Sequence, residues 1–83
     1  MIKIWFKTFR DNSLTISKVF TFEKDTDINE MLVEMCHDFD LPCPVVLSKH
    51  LREIEEFKIT KFSKIDFVES LDDDYVEIEI CSE

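Results

Sequence analysis

The stretch IKIWFKTFRDNSLTISKVFTF, residues 2–22, decides the fold. Ile2, Ile4 and Phe6 fall on one side of an extended chain, and Lys3, Trp5, Lys7 and Phe9 on the other. Period two is the signature of a strand. Alternation resumes over residues 14–22, which put Leu14, Ile16, Phe20 and Phe22 together. Between the two runs, Arg10-Asp11-Asn12-Ser13 is rich in turn formers, and Asn12 suits a left-handed backbone position. The two runs predict an antiparallel hairpin. Lys18 interrupts the inward face of the second strand. An inward-pointing charge guards an exposed sheet edge, so that strand is placed at the edge.

A helix is expected next. Asp27 is a good N-cap, with Glu30 three residues on. Ile28, Met31, Leu32, Met35, Cys36 and Phe39 then form one apolar stripe of 3.6-residue period. Pro42 and Pro44 stop the helix near Leu41. Val45-Val46-Leu47 reads as a short buried strand. Residues 48–68 carry apolar side chains without a clean period. A short strand is expected within 54–62 and a helical turn within 63–67, with a longer helix over 48–57 as the alternative. Asp72-Asp73-Asp74 reads as a solvated turn. In the last strand, Val76, Ile78 and Ile80 face one way, and Tyr75, Glu77, Glu79 and Cys81 the other.

The order β-β-α-β-(β)-β is that of a single α+β domain over residues 1–83. It resembles the β-grasp, or ubiquitin-like, arrangement: one helix packed on a four- to five-stranded mixed sheet. That resemblance implies that the first strand lies parallel to the last in the sheet centre. The outer sheet face then shows Lys3, Trp5 and Lys7 beside Glu77 and Glu79, where opposite charges attract across strands. The segment Pro44-Val45-Val46-Leu47-Ser48-Lys49-His50-Leu51, with Glu56-Phe57, Lys61-Phe62 and Asp66-Phe67-Val68-Glu69, is similar to a family of small uncharacterised bacterial proteins. No activity comes with that likeness.

Composition excludes several functions. The 83 residues include no glycine, so neither a P-loop nor a dinucleotide fingerprint can be built. The end Ile80-Cys81-Ser82-Glu83 lacks the Gly-Gly through which ubiquitin-like modifiers and sulfur carriers act. Nineteen acidic residues against ten basic ones give net charge −9. Nucleic-acid and anionic-membrane binding, which need clustered cations, are not expected. The charge is uneven: residues 49–64 sum to +2 and residues 65–83 to −8. Cys36, Cys43 and Cys81 are odd in number and form no CxxC, so free thiols in a reducing cytoplasm are expected. No apolar run exceeds three residues, and Met1 leads straight into a strand without a leader-like apolar region.

Candidate sites follow from residue type. Lys49, His50 and Arg52, continued by Lys58 and Lys61, are a possible docking site for an acidic partner segment or a phosphate-bearing ligand. The bland alternative is a solvated charged stretch, with Glu53, Glu55 and Glu56 interspersed, and a structural role for the histidine. Trp5 on an open sheet face is a docking anchor, because Trp and Tyr are enriched at binding hot spots. Cys36, His37, Cys43 and His50 make a poor zinc set: adjacent helical residues diverge by about 100°, and Cys36 continues the apolar stripe. No catalytic signature is present, so neither enzyme activity nor a cofactor is expected. The expected function is a non-catalytic protein–protein interaction module whose partner is another protein or a second copy. An acidic nucleic-acid mimic or regulatory inhibitor, and a small metal-binding or enzymatic accessory protein, are the alternatives.

Overall fold

The computed structural model of the chain describes residues 1–82. Strands β1 (Ile2–Arg10) and β2 (Ser13–Phe22) form the hairpin, followed by helices α1 (Ile28–Asp38) and α2 (Ser48–Phe57). Strand β3 (Ile59–Ser63), a 3₁₀ turn (Lys64–Asp66) and strand β4 (Tyr75–Ser82) complete the chain. The fold is α+β, with a four-stranded sheet in the order β2-β1-β4-β3. β2 lies at one edge. Lys18 stands opposite Phe6 on the inward face and turns out to meet Asp38 at 2.9 Å.

Two expectations are corrected. The sheet is antiparallel throughout, where a mixed sheet with parallel first and last strands was expected. Two helices separate the hairpin from the remaining strands: the alternative, a helix over 48–57, is the one present. The second helix explains the antiparallel sheet. β2 ends and β3 begins at the same end of the sheet, since Phe22 pairs with Ile2, and Ile59 with Glu79, itself opposite Trp5. A chain that leaves and returns at one end needs an even number of crossings. α2 supplies the second and reverses every later strand relative to a one-helix layout. Residues 45–47 form no strand. Pro44 makes an isolated bridge to Phe67, and Val45 and Leu47 are exposed.

Among the described residues, left-handed backbone falls on four: Asp11, Asn12, Asp40 and Lys58. Asp11 and Asn12 are the two central residues of the hairpin turn, both with positive φ as a type I′ turn requires. Asp40 closes α1. Its N–H donates to His37 C=O and the Leu41 N–H to Cys36 C=O, a Schellman motif with Asp where Gly is usual. Asp27 caps the other end by accepting from Asn29 N–H.

The core lies between the inner sheet face and the helices. Met31, Leu32, Met35 and Cys36 of α1 are buried against Ile4, Phe6, Val76 and Ile78. Phe6 stacks on Phe39 at 5.7 Å, and Phe20 meets both rings edge-on. A bulge between Thr8 and Phe9 pairs Phe9 with Leu14. Leu14 therefore shares the outer face with Phe9, not the inner face its alternation implied. The acidic run is a bend that is solvated only in part: Asp72 and Asp74 are exposed, but Asp73 is not. Asp73 is buried, accepts from Thr15 Oγ1 and pairs with Arg10, while Asp74 accepts from Asp11 N–H. The run thus anchors the hairpin turn.

Candidate functional site

His50 is fully buried, at 0% exposure, so it is not a surface docking residue. Its place follows from helix-end chemistry. The first N–H groups of a helix lack intrahelical partners. Leu47, the N-cap of α2, has no side-chain acceptor, and His50 reaches back so that its Nδ1 accepts from Leu47 N–H at 2.9 Å. An accepting Nδ1 fixes the neutral ring with its proton on Nε2. Asp66 repeats the device one corner away, accepting from Ser63 N–H at 2.9 Å and from Ser63 Oγ at 3.3 Å. The two devices meet: His50 Nε2 lies 3.4 Å from Asp66 Oδ2, without hydrogen-bond geometry. The imidazole also packs on Phe62, with centroids 4.4 Å apart.

This Ser–Asp–His chain is not a nucleophilic triad. In a triad the histidine stands between hydroxyl and carboxylate and takes the hydroxyl proton. Here the carboxylate stands between, and the histidine is a dead end committed to a backbone N–H. The arrangement holds the start of α2 against the β3 corner.

The other candidate residues separate into two places. Trp5 stands on the outer sheet face, opposite Val19, and donates from Nε1 to Ser17 Oγ at 2.8 Å. Beside it Lys7 lies 3.9 Å from the indole centroid, 3.2 Å from Glu79 and 3.8 Å from Glu77. The cross-strand charge pairing read from the sequence is present here. Lys7 and Glu77 are only 7% and 8% exposed, although no helix covers them. Phe9 stacks on Tyr75 at 4.8 Å, and Lys61 Nζ sits 4.9 Å over the same Tyr75 ring. Lys49 and Arg52 are exposed on α2, and Lys58 forms the junction into β3, its carbonyl accepting from Ile80 N–H. Lys49 and Lys61 line one groove of about 490 Å³ between α2 and β3, together with Glu53, Phe57, Ser63 and Tyr75, among others.

Tyr75, Ser63 and Asp66 were not among the sequence candidates. Ser63-Lys64-Ile65-Asp66 carries the S-x-x-D spacing of a capping box, a signal that was readable.

Cys36, Cys43 and Cys81 are free thiols. Burial, and then the neighbouring Cys43, push the Cys36 thiol up to about 12; burial also raises Cys43. The folded value of Cys36 exceeds the unfolded one, so its contribution to stability is intact below about pH 8.5, the ordinary thiol value. It is lost as pH rises from there through about 12. Unfolding midpoints at pH 7.5 and 10.5 are expected to drop more for the native chain than for Cys36→Ala. Among the described residues no cluster of three or more His, Cys, Asp or Glu could hold a metal ion.

No helix among the described residues is long and apolar enough to cross a membrane. No protein-family model, curated protein or solved structure matches the chain.

Proposed function

We propose that this protein is a non-catalytic protein–protein interaction module that docks through its outer sheet face, centred on Trp5. The observation that carries the reading is an uncovered sheet face rich in apolar and aromatic groups. Both helices pack on the inner side, through Met31, Leu32 and Met35 of α1 and through His50 of α2 against Phe62. An antiparallel sheet that leaves one face to water usually makes that face polar. Here it carries Trp5, Phe9, Leu14, Val19, Ile59 and Tyr75, with Leu14 and Val19 about half exposed. Trp5, held by Ser17 and Lys7, is a rigid anchor with little side-chain freedom left to lose on binding. The partner is another protein or a second copy. A reducing, cytoplasmic setting suits the three free thiols.

Trp5→Ala tests this. The variant is expected to keep the native circular dichroism spectrum while losing a co-purifying partner or a dimer that the native chain retains. A folded, monomeric variant with an unchanged set of co-purifying proteins contradicts the proposal.

A further inference from the structure

β2 is a sheet edge of ten residues, Ser13–Phe22, most of them exposed. Its backbone phase follows from the far side of the sheet. The Ile80 N–H donates to Lys58 C=O at 2.7 Å while Ile59 stands opposite Glu79. In an antiparallel ladder this makes the 59/79 pair non-hydrogen-bonded. Glu79 therefore turns its backbone groups to β1, toward its partner Trp5. Alternation along β1 then turns Ile4 and Phe6 to β2, where they meet Phe20 and Lys18. Ser17, Val19 and Thr21 are left with their N–H and C=O groups facing the open edge.

Proteins usually blunt such an edge with charge, proline, a bulge or a covering segment. Little of this protects β2. In a chain whose residues are 35% charged, β2 carries one charge, Lys18. That charge is matched on the inner face by Asp38 at 2.9 Å, with the ammonium 4.8 Å from the centre of the Phe20 ring. The bulge opposite Thr8 and Phe9 lies toward the hairpin turn and leaves residues 16–22 in regular register. The other edge, β3, has only five residues, and Asp66 already accepts its Ser63 N–H.

We infer that β2 pairs antiparallel with β2 of a second copy about a two-fold axis at Val19, so that two four-stranded sheets run on as one of eight. The inference rests on the protein-binding reading above and commits its partner to a second copy. Self-complementarity selects that occupant. Val19 is the midpoint of the regular segment, and this centre sets Ser17 opposite Thr21 of the second copy. Each outward N–H and C=O of residues 17, 19 and 21 then finds a partner. Across the axis Val19 meets Val19, Lys18 meets Phe20 and Ile16 meets Phe22. These are β-branched, cation–π and aliphatic–aromatic pairs. No like charges stand directly opposed, and the two Lys18 side chains, diagonal to each other, each keep their own Asp38. A centre one residue earlier would oppose lysine to lysine. The pairing also brings the two outer faces together, with Val19 at the join and a Trp5 on either side.

The test uses the whole chain and two charge variants at the axis. Sedimentation of the native chain is expected to show a dimer that grows with concentration. Hydrogen exchange of the Ser17, Val19 and Thr21 amides is expected to slow in parallel. Val19 is about half exposed, so Val19→Lys and Val19→Glu are expected to keep the native circular dichroism spectrum. Each alone opposes like charges on the axis and is expected to weaken the dimer about a hundredfold. Mixed in equal amounts, the two variants are expected to restore it as a heterodimer. A native chain that stays monomeric up to its solubility limit overturns the inference. So does a dimer that protects Ile59 and Lys61 instead, or a mixture of the two variants that stays monomeric. A dimer lost in Trp5→Ala but without protection at residues 17, 19 and 21 overturns the edge pairing and leaves the outer-face reading standing. The outer-face reading fails separately, when Trp5→Ala changes no interaction.

Discussion

His50→Ala is expected to destabilise the protein by about 3–5 kcal/mol, near the upper range for single substitutions. Three losses combine. The Leu47 N–H loses its only side-chain acceptor, and an orphaned buried donor costs about 1–3 kcal/mol. The ring volume against Phe62 becomes a cavity in a close-packed region. The Asp66 carboxylate keeps Ser63 but loses the neighbouring imidazole edge. His50→Asn places an oxygen near the position of Nδ1. It is expected to recover about 1 kcal/mol through the restored bond to Leu47. Urea unfolding monitored at 222 nm measures both. A loss under about 1 kcal/mol for His50→Ala, the size of one ordinary hydrogen bond, contradicts the role assigned to this residue.

Lys7→Ala is the second large effect, expected at about 3 kcal/mol. It leaves Glu77 buried on the outer face beside Glu79 with its cation removed. Stripping one partner from a buried ion pair typically costs about 3–5 kcal/mol. The half-exposed Glu79 can turn to water, which favours the lower end. The double change Lys7→Val with Glu77→Val behaves differently. The two positions face each other directly across β1 and β4. Apolar β-branched side chains pair well there, so the double variant is expected within about 1 kcal/mol of the native chain. A double variant as unstable as the sum of its single changes contradicts this account of the outer face.

These two side chains also explain what was legible. The hairpin, α1, the last strand and the edge placement of β2 were readable because period two and period 3.6 are strong signals in residues 2–39 and 75–80. The charge pairing of Lys7 with Glu77 and Glu79 followed from that alternation once the β-grasp resemblance set the first and last strands side by side; they are neighbours, though antiparallel. α2 stood only as the alternative over 48–57, because its buried anchor is a histidine. Leu51 and Phe57 are exposed, and the core contacts of α2 fall to His50 and Ile54. A reading that counts only apolar residues therefore finds no period there. Preferring the one-helix layout also reversed the later strands, since strand direction depends on the number of crossings. On the site, Trp5, Lys49 and Lys61 were readable as surface groups. The groove joining the two lysines was not, because it exists only once α2 lies beside β3. The bulge at Thr8 and Phe9, which sends Leu14 to the outer face, left no mark in the alternation.

The central claim is that the outer sheet face is where this protein meets its partner. A photo-crosslinking amino acid at position 19, on that face, compared with one at position 33, exposed on α1, tests it most directly. Irradiation of each chain in lysate of the source cells, and alone at high concentration, is expected to give a discrete adduct from position 19 and none from position 33. An adduct from position 33 alone, or none from position 19 under either condition, contradicts the claim.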